Sequence, residues 1–195
     1  FSTEEMDKAL IENWNSVVPE DGIVFHLGDF CFGGNTQWKT IRKKLNGKIY
    51  LIPGNHEYYK DPIAREGHQN GMPLDKTLVD YEHKVRDNVR YLNNRSMAFG
   101  DIEVFASTLW TITDPTNYVG IQIGMNDCYQ IIYGNHRLWA DDYEEVHKVC
   151  RKWLDEALKA STAKHKIVLT HHCPTMRKEF DTHQVGSGLY SAFHV

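Results

Sequence analysis

Three short apolar runs constrain this chain most, because each stops abruptly on residues able to bind a metal or move a proton. They lie in "GIVFHLGDF" (22–30), "KIYLIPGNHE" (48–57) and "HKIVLTHHCPT" (165–175). Runs this short and continuous read as strands buried on both faces of a sheet. A helix precedes the first run. Ser2 and Glu5 fit a capping box, and Phe1 and Met6 are spaced for a hydrophobic staple. Met6, Leu10, Ile11, Trp14 and Val17 recur at helical spacing until Pro19. A second helix is expected over Thr36–Leu45, with Asn35 as cap and Asn46-Gly47 as stop. Helix, strand, helix, strand is the order of an α/β sheet.

In open α/β sheets, ligands bind at the carboxyl ends of the strands. Parallel strands would therefore bring Asp29, Asn55, His56, His171 and His172 to one edge, although they are far apart in sequence. Carboxylate, amide and imidazole donors suit Mn, Fe or Zn better than a thiolate site would. Farther along, Asp75–Asp87 is expected to be helical, and "VRYLNN" (89–94), "SMAFG" (96–100) and "DIEVFAST" (101–108) to be strands. Residues 109–135 lack a clear period and read mostly as loop. Trp110, Tyr118, Tyr129, Tyr133 and Trp139 in and beside them form either a substrate-facing cap or satellite core, with Asp127 and His136 the first polar residues to test. Asp141–Ala160 is a helix capped by Asp141 and Glu144, with Val146, Val149, Cys150, Trp153, Leu154 and Leu158 as its apolar stripe. A last helix begins at Gly188–Val195.

With 195 residues and no internal linker, the chain reads as one domain, 1–195. A net charge of −4 argues against a general polyanion binder. Four cysteines without a C-x-x-C pair read as reduced thiols, and no apolar run reaches the ~18 residues that span a bilayer. The expectation is a cytoplasmic protein without a membrane segment. His26, inside a strand, reads as a satisfied core histidine. His68, His83, His147, His165, His183 and His194 are background, and Arg42-Lys43-Lys44 is a solvated helix face.

"GDF" (28–30), "GNHE" (54–57) and "THHCP" (170–174), in that order and each at a strand end, resemble signature blocks of the calcineurin-like metallophosphoesterases. "STLW" (107–110) and "GMND" (124–127) resemble a bacterial branch of that superfamily. The resemblance implies a four-layer αββα sandwich of two mixed sheets flanked by helices. It implies Asp29 as a carboxylate bridging two divalent transition metals, with Asn55 and His171 as ligands of the second. His56 would meet the substrate phosphate and assist the leaving group, while His172 and Glu57 would support the site or face substrate. Two metals ~3.5–4 Å apart clamp an in-line displacement and supply hydroxide at neutral pH. The implied activity is hydrolysis of a small phosphomonoester or phosphodiester through a metal-bound hydroxide, with nucleic acid a partner only as substrate.

Two family blocks are missing. No D-x-H precedes "GDF", and no G-H-x-H occurs; "GHQN" (67–70) ends in Asn70 and comes too early. The second metal keeps Asp29, Asn55 and His171, whereas the first keeps only Asp29. The expectation is a domain trimmed at both ends, lacking its first strand and its last part and so exposing a sheet edge or cleft. The alternative is a catalytically incomplete member of the same fold that acts as a protein-interaction scaffold, as one retromer subunit resembling these enzymes does.

Overall fold

Ser2 caps the first helix as its spacing predicts. Its hydroxyl accepts from the Glu5 amide at 3.2 Å, and Glu5 accepts the Ser2 amide at 2.8 Å. A computed structural model describes residues 2–31, 35–59, 84–86 and 89–175 of the chain. Phe1, His68, His83, His183, His194, "GHQN" and Gly188–Val195 lie outside the described residues. The elements are α1 (Thr3–Val17), β1 (Ile23–His26), α2 (Asn35–Arg42), β2 (Lys48–Leu51), β3 (Lys84–Arg86), β4 (Val89–Tyr91), β5 (Arg95–Phe99), β6 (Ile102–Ser107), α3 (Tyr118–Gly124), α4 (Asp127–Gln130), β7 (Ile132–Tyr133), β8 (His136–Arg137), α5 (Asp142–Ala160) and β9 (His165–Thr170).

Two mixed sheets carry the fold. In the first, ordered β1-β2-β4-β3, the strands β1, β2 and β4 are parallel and β3 is antiparallel. In the second, ordered β5-β6-β9, β6 pairs antiparallel with β5 and parallel with β9, Ser107 opposite Thr170. Alternation along β2 sorts the core. Ile49 and Leu51 pack with Trp38, Leu45, Ile11 and Trp14 on the side of α1 and α2. Tyr50 and Ile52 meet Leu92, Ala106, Met97 and Leu169 between the two sheets. On β6, Phe105 points the other way, into a cluster with Trp110, Tyr143, Val146, Cys150 and Leu154 under α5. The layers are therefore helices, sheet, sheet, helix, as the resemblance implied.

Polar contacts seat α1. Trp14 donates to the Asn46 carbonyl, and Asn15 and Asn46 exchange bonds with the backbone around the α2–β2 turn. No helix among the described residues is long and apolar enough to cross a membrane.

Several local expectations are corrected. Residues 84–86, assigned to a helix over Asp75–Asp87, form a strand; 75–83 and 87 lie outside the described residues. The loop expected over 109–135 contains α3 and α4, whose lengths are too short to display a helical period. In and beside it Trp110 and Tyr133 are core and Tyr118 packs against that core, while Tyr129 and Trp139 are about half exposed. Among the described residues Asp141 makes no side-chain capping bond; Asp142 instead accepts the Trp139 amide at 2.8 Å. β9 is not buried on both faces: Ile167 and Val168 are more than 40% exposed, at 44% and 41%. Arg42 leaves its solvated run and is buried, donating to the carbonyls of Leu45 and Gly47, both at 2.7 Å. His26 packs against Trp14 and Phe30, but its Nδ1 is buried with no hydrogen-bond partner among the described residues, so it is a core histidine without being a satisfied one.

Candidate functional site

The ladder bonds of β2 run on from Ile52 to the His26 carbonyl and from Leu92 to the Leu51 carbonyl, so the turns after β1 and β2 begin at the same level. Each turn opens on a glycine for a spatial reason. A Cβ on Gly28, where φ is +98°, would lie 2.5 Å from His171 Nδ1 and 2.6 Å from the Gly54 nitrogen. A Cβ on Gly54 would lie 2.2 Å from Asp29 Oδ1 and 2.5 Å from His171 Cε1. The imidazole that follows β9 therefore lies in space vacated by two glycines of the other sheet.

Glu57 locks the two turns together. Its carboxylate accepts three backbone N–H groups: Gly54 at 2.7 Å, Asp29 at 2.8 Å and Phe30 at 2.9 Å. Burial raises its carboxyl pKa, and these three donors offset only part of that rise. Asp29 sits in the left-handed region at φ 53°, a conformation a non-glycine residue holds only when its surroundings fix it. The Glu57 bond to its amide is one fixing contact. The His56 amide, which donates to Asp29 Oδ1 at 3.2 Å, is another.

Asp29, Asn55 and His171 converge. His171 Nε2 is 3.3 Å from Asn55 Oδ1 and 3.8 Å from Asp29 Oδ1. His171 Nδ1 lies 2.6 Å from the Leu27 carbonyl. That oxygen can only accept, which assigns a proton to Nδ1, so in the neutral ring Nε2 carries the lone pair. Asn55 Nδ2 donates to Asp127 Oδ1 at 2.8 Å, which assigns its Oδ1 to the side facing His171. Three lone-pair atoms from carboxylate, amide and imidazole thus face one another. Such an arrangement is repulsive unless a proton or a cation lies between them, and it is the donor chemistry that fits a divalent transition metal. Among the described residues no group of three His, Cys, Asp or Glu side chains is placed to hold a metal.

The remaining sequence candidates divide. His56 lies in the 3-10 turn Asn55–Tyr58, half-buried, its ring tilted over Tyr59 at 4.3 Å. His172 is buried behind His171, with Nδ1 donating to the Thr108 carbonyl and its ring 5.2 Å from Trp110. Asp127 is buried directly behind Asn55 and also accepts from the hydroxyls of Tyr59 and Tyr143. His136 is grouped elsewhere, in the β7–β8 hairpin, stacked on Trp139 at 4.5 Å and donating to the Arg137 carbonyl. Sequence reasoning passed over Tyr59 and Tyr143. Tyr59 was detectable as the residue four beyond Asn55; nothing in the sequence marks Tyr143.

Comparison with known proteins bears on the family and the fold. The chain is 43% identical over 60 residues to an uncharacterised protein of Methanocaldococcus jannaschii, covering 30% of the chain and 34% of that protein. It is 27% identical over 164 residues to an uncharacterised protein of Acanthamoeba polyphaga mimivirus, covering 76% of the chain and 54% of the relative. The chain thus spans about a third and about half the length of these two relatives. In fold it is similar to phosphopantetheinyl hydrolase of Mycobacterium tuberculosis, with a TM-score of 0.64 at 14% identity over 96% of this chain and 70% of that one. The model of the calcineurin-like phosphoesterase family matches residues 5–191, and the chain belongs to that family.

Proposed function

We propose that the protein hydrolyses a small phosphomonoester or phosphodiester, with Asp29 Oδ1, Asn55 Oδ1 and His171 Nε2 holding a divalent metal. The convergence of these three lone pairs, with the other polar atoms of His171 and Asn55 already engaged, carries the reading. When bound, the metal supplies Lewis-acid neutralisation of phosphate charge and activation of water. The chain's own residues do the rest. The turn held by Glu57 fixes Asp29 and Asn55 at one spacing. His56, next to Asn55 and supported from below by Tyr59, is the group that meets the phosphate and hands a proton to the leaving oxygen.

Two variants test the assignment by different readouts. His171→Ala should abolish Mn²⁺ binding measured by calorimetry. His56→Ala should leave Mn²⁺ affinity unchanged while turnover of an activated phosphodiester falls about 100-fold or more. Parental Mn²⁺ affinity in His171→Ala would sink the metal assignment.

A scaffold role is the second reading, favoured by the absence, among the described residues, of a three-member His, Cys, Asp or Glu cluster. It predicts no turnover at saturating Mn²⁺, in this chain or in the whole protein.

A further inference from the structure

Asp127 is a carboxylate with 1% exposure, and its position is hard to explain as ordinary core packing. Oδ1 accepts from Asn55 Nδ2 at 2.8 Å and from the Tyr59 hydroxyl, and Oδ2 accepts from the Tyr143 hydroxyl at 2.8 Å. Among the described residues no Lys, Arg or His pairs with it. A buried carboxylate normally needs a compensating positive charge. Here the direction of compensation runs through Asn55, whose amide joins Asp127 on one side to the Asp29–His171 cluster on the other.

We infer that Asp127 is a positioning residue that fixes and polarises the Asn55 amide, forming a carboxylate–amide–metal relay across Tyr59 and Tyr143. The inference rests on the metal-binding reading proposed above. The carboxylate can only accept, so it admits one orientation of Asn55, with nitrogen inward and oxygen toward His171. The flipped amide would place two lone-pair atoms face to face at Asp127. Negative charge behind the N–H also draws electron density toward the amide oxygen and makes it a stronger ligand, as an outer carboxylate does for a metal-bound imidazole. Tyr59 links the relay to His56. Its hydroxyl bonds Asp127 and lies 3.4 Å from Asn55 Nδ2, and its ring supports the His56 imidazole. The same tyrosine thus touches the amide that would hold the metal and the imidazole that would meet the phosphate.

Asp127→Asn keeps the shape and removes both the charge and the one-way acceptor. Calorimetric titration with Mn²⁺ alone should give about 10- to 100-fold weaker binding than the parent. Tyr143→Phe, which leaves Asn55 and its acceptor oxygen in place, should weaken binding less. Mn²⁺ affinity within twofold of the parent in folded Asp127→Asn overturns the relay. Because that variant can fail to fold, the metal-free parent supplies a second measurement. In its side-chain amide NMR spectrum the two Asn55 protons should differ widely in shift, and the bonded one should exchange slowly with solvent. Near-equal shifts with rapid exchange overturn the relay as well. His171→Ala separates the two levels of the argument. Loss of Mn²⁺ there with full retention in Asp127→Asn refutes only the relay, whereas retention in both refutes the metal reading beneath it.

Discussion

Gly54→Ala is the sharpest test of how this site is assembled. Gly54 has φ −88° and ψ −177°, an extended conformation that alanine adopts freely, so backbone strain does not enter. Only space matters. The new methyl would lie 2.2 Å from Asp29 Oδ1, 2.5 Å from His171 Cε1 and 2.8 Å from His171 Nε2. Ordinary contact begins at 3.4 Å, so the carboxylate must retreat by about 1.2 Å and the imidazole by about 0.9 Å. Metal–ligand distances tolerate only about 0.2 Å. One added carbon therefore removes Asp29 and His171 from a shared site together. Overpacking should cost about 1–3 kcal/mol of stability, a minor loss beside the functional one. A displacement near 1 Å is expected to reduce phosphodiester turnover by about 100-fold, with Mn²⁺ affinity falling in parallel. Gly120→Ala is the control: among the described residues nothing lies within 4 Å of its Cβ, and in α3 it should be neutral or stabilising by up to about 1 kcal/mol. Gly54→Ala with parental Mn²⁺ affinity and turnover would refute the convergence of Asp29 and His171 over this glycine.

Glu57→Gln should lower stability by about 1–3 kcal/mol, because an amide NH₂ must then face one of the three backbone donors; chemical denaturation measures it. A loss below 0.5 kcal/mol would mean that the clamp does not hold the turns. Saturating Mn²⁺ at about 100 times its Kd should stabilise the protein by about 2.7 kcal/mol, and the increment should vanish in His171→Ala. Burial lowers the His147 pKa, with Nδ1 donating to the Trp110 carbonyl. The folded state thus disfavours the proton, so His147's stability contribution is intact above the unfolded value near 6.5 and declines as pH falls through it toward the depressed folded value. Replacing His147 with Gln should flatten the acid limb of stability between about pH 7 and pH 5, read from urea midpoints; an unchanged slope would contradict this.

What could be read from sequence was whatever repeats locally. The capping box at Ser2 and Glu5, the continuous apolar run Ile49–Ile52 and the glycine-polar stops at 28–29 and 54–57 all declare themselves within a few residues. The strand-end rule then placed Asp29, Asn55 and His171 together, and geometry adds which of their atoms are free. Long-range bonds left no such mark. Asp127 meets Asn55 across 72 positions, and its other oxygen is held by Tyr143 from a third segment, α5. Helices α3 and α4 escaped notice because seven and four residues are too few to show a period. The exposure of Ile167 and Val168 on β9 likewise reflects neighbours, which no local pattern encodes.

His171 comes from the second sheet, while Asp29 and Asn55 belong to the first. The spacing of the three is consequently a gauge of how one sheet slides on the other. The side chains that set that slide are the inter-sheet residues Tyr50, Ile52, Leu92 and Ala106. A substitution there that trims or adds a single methylene would move His171 relative to its partners before it unfolded anything. Tuning of this site, by evolution or by an engineer, is therefore as accessible from the apolar interior as from the polar residues on display at the strand ends.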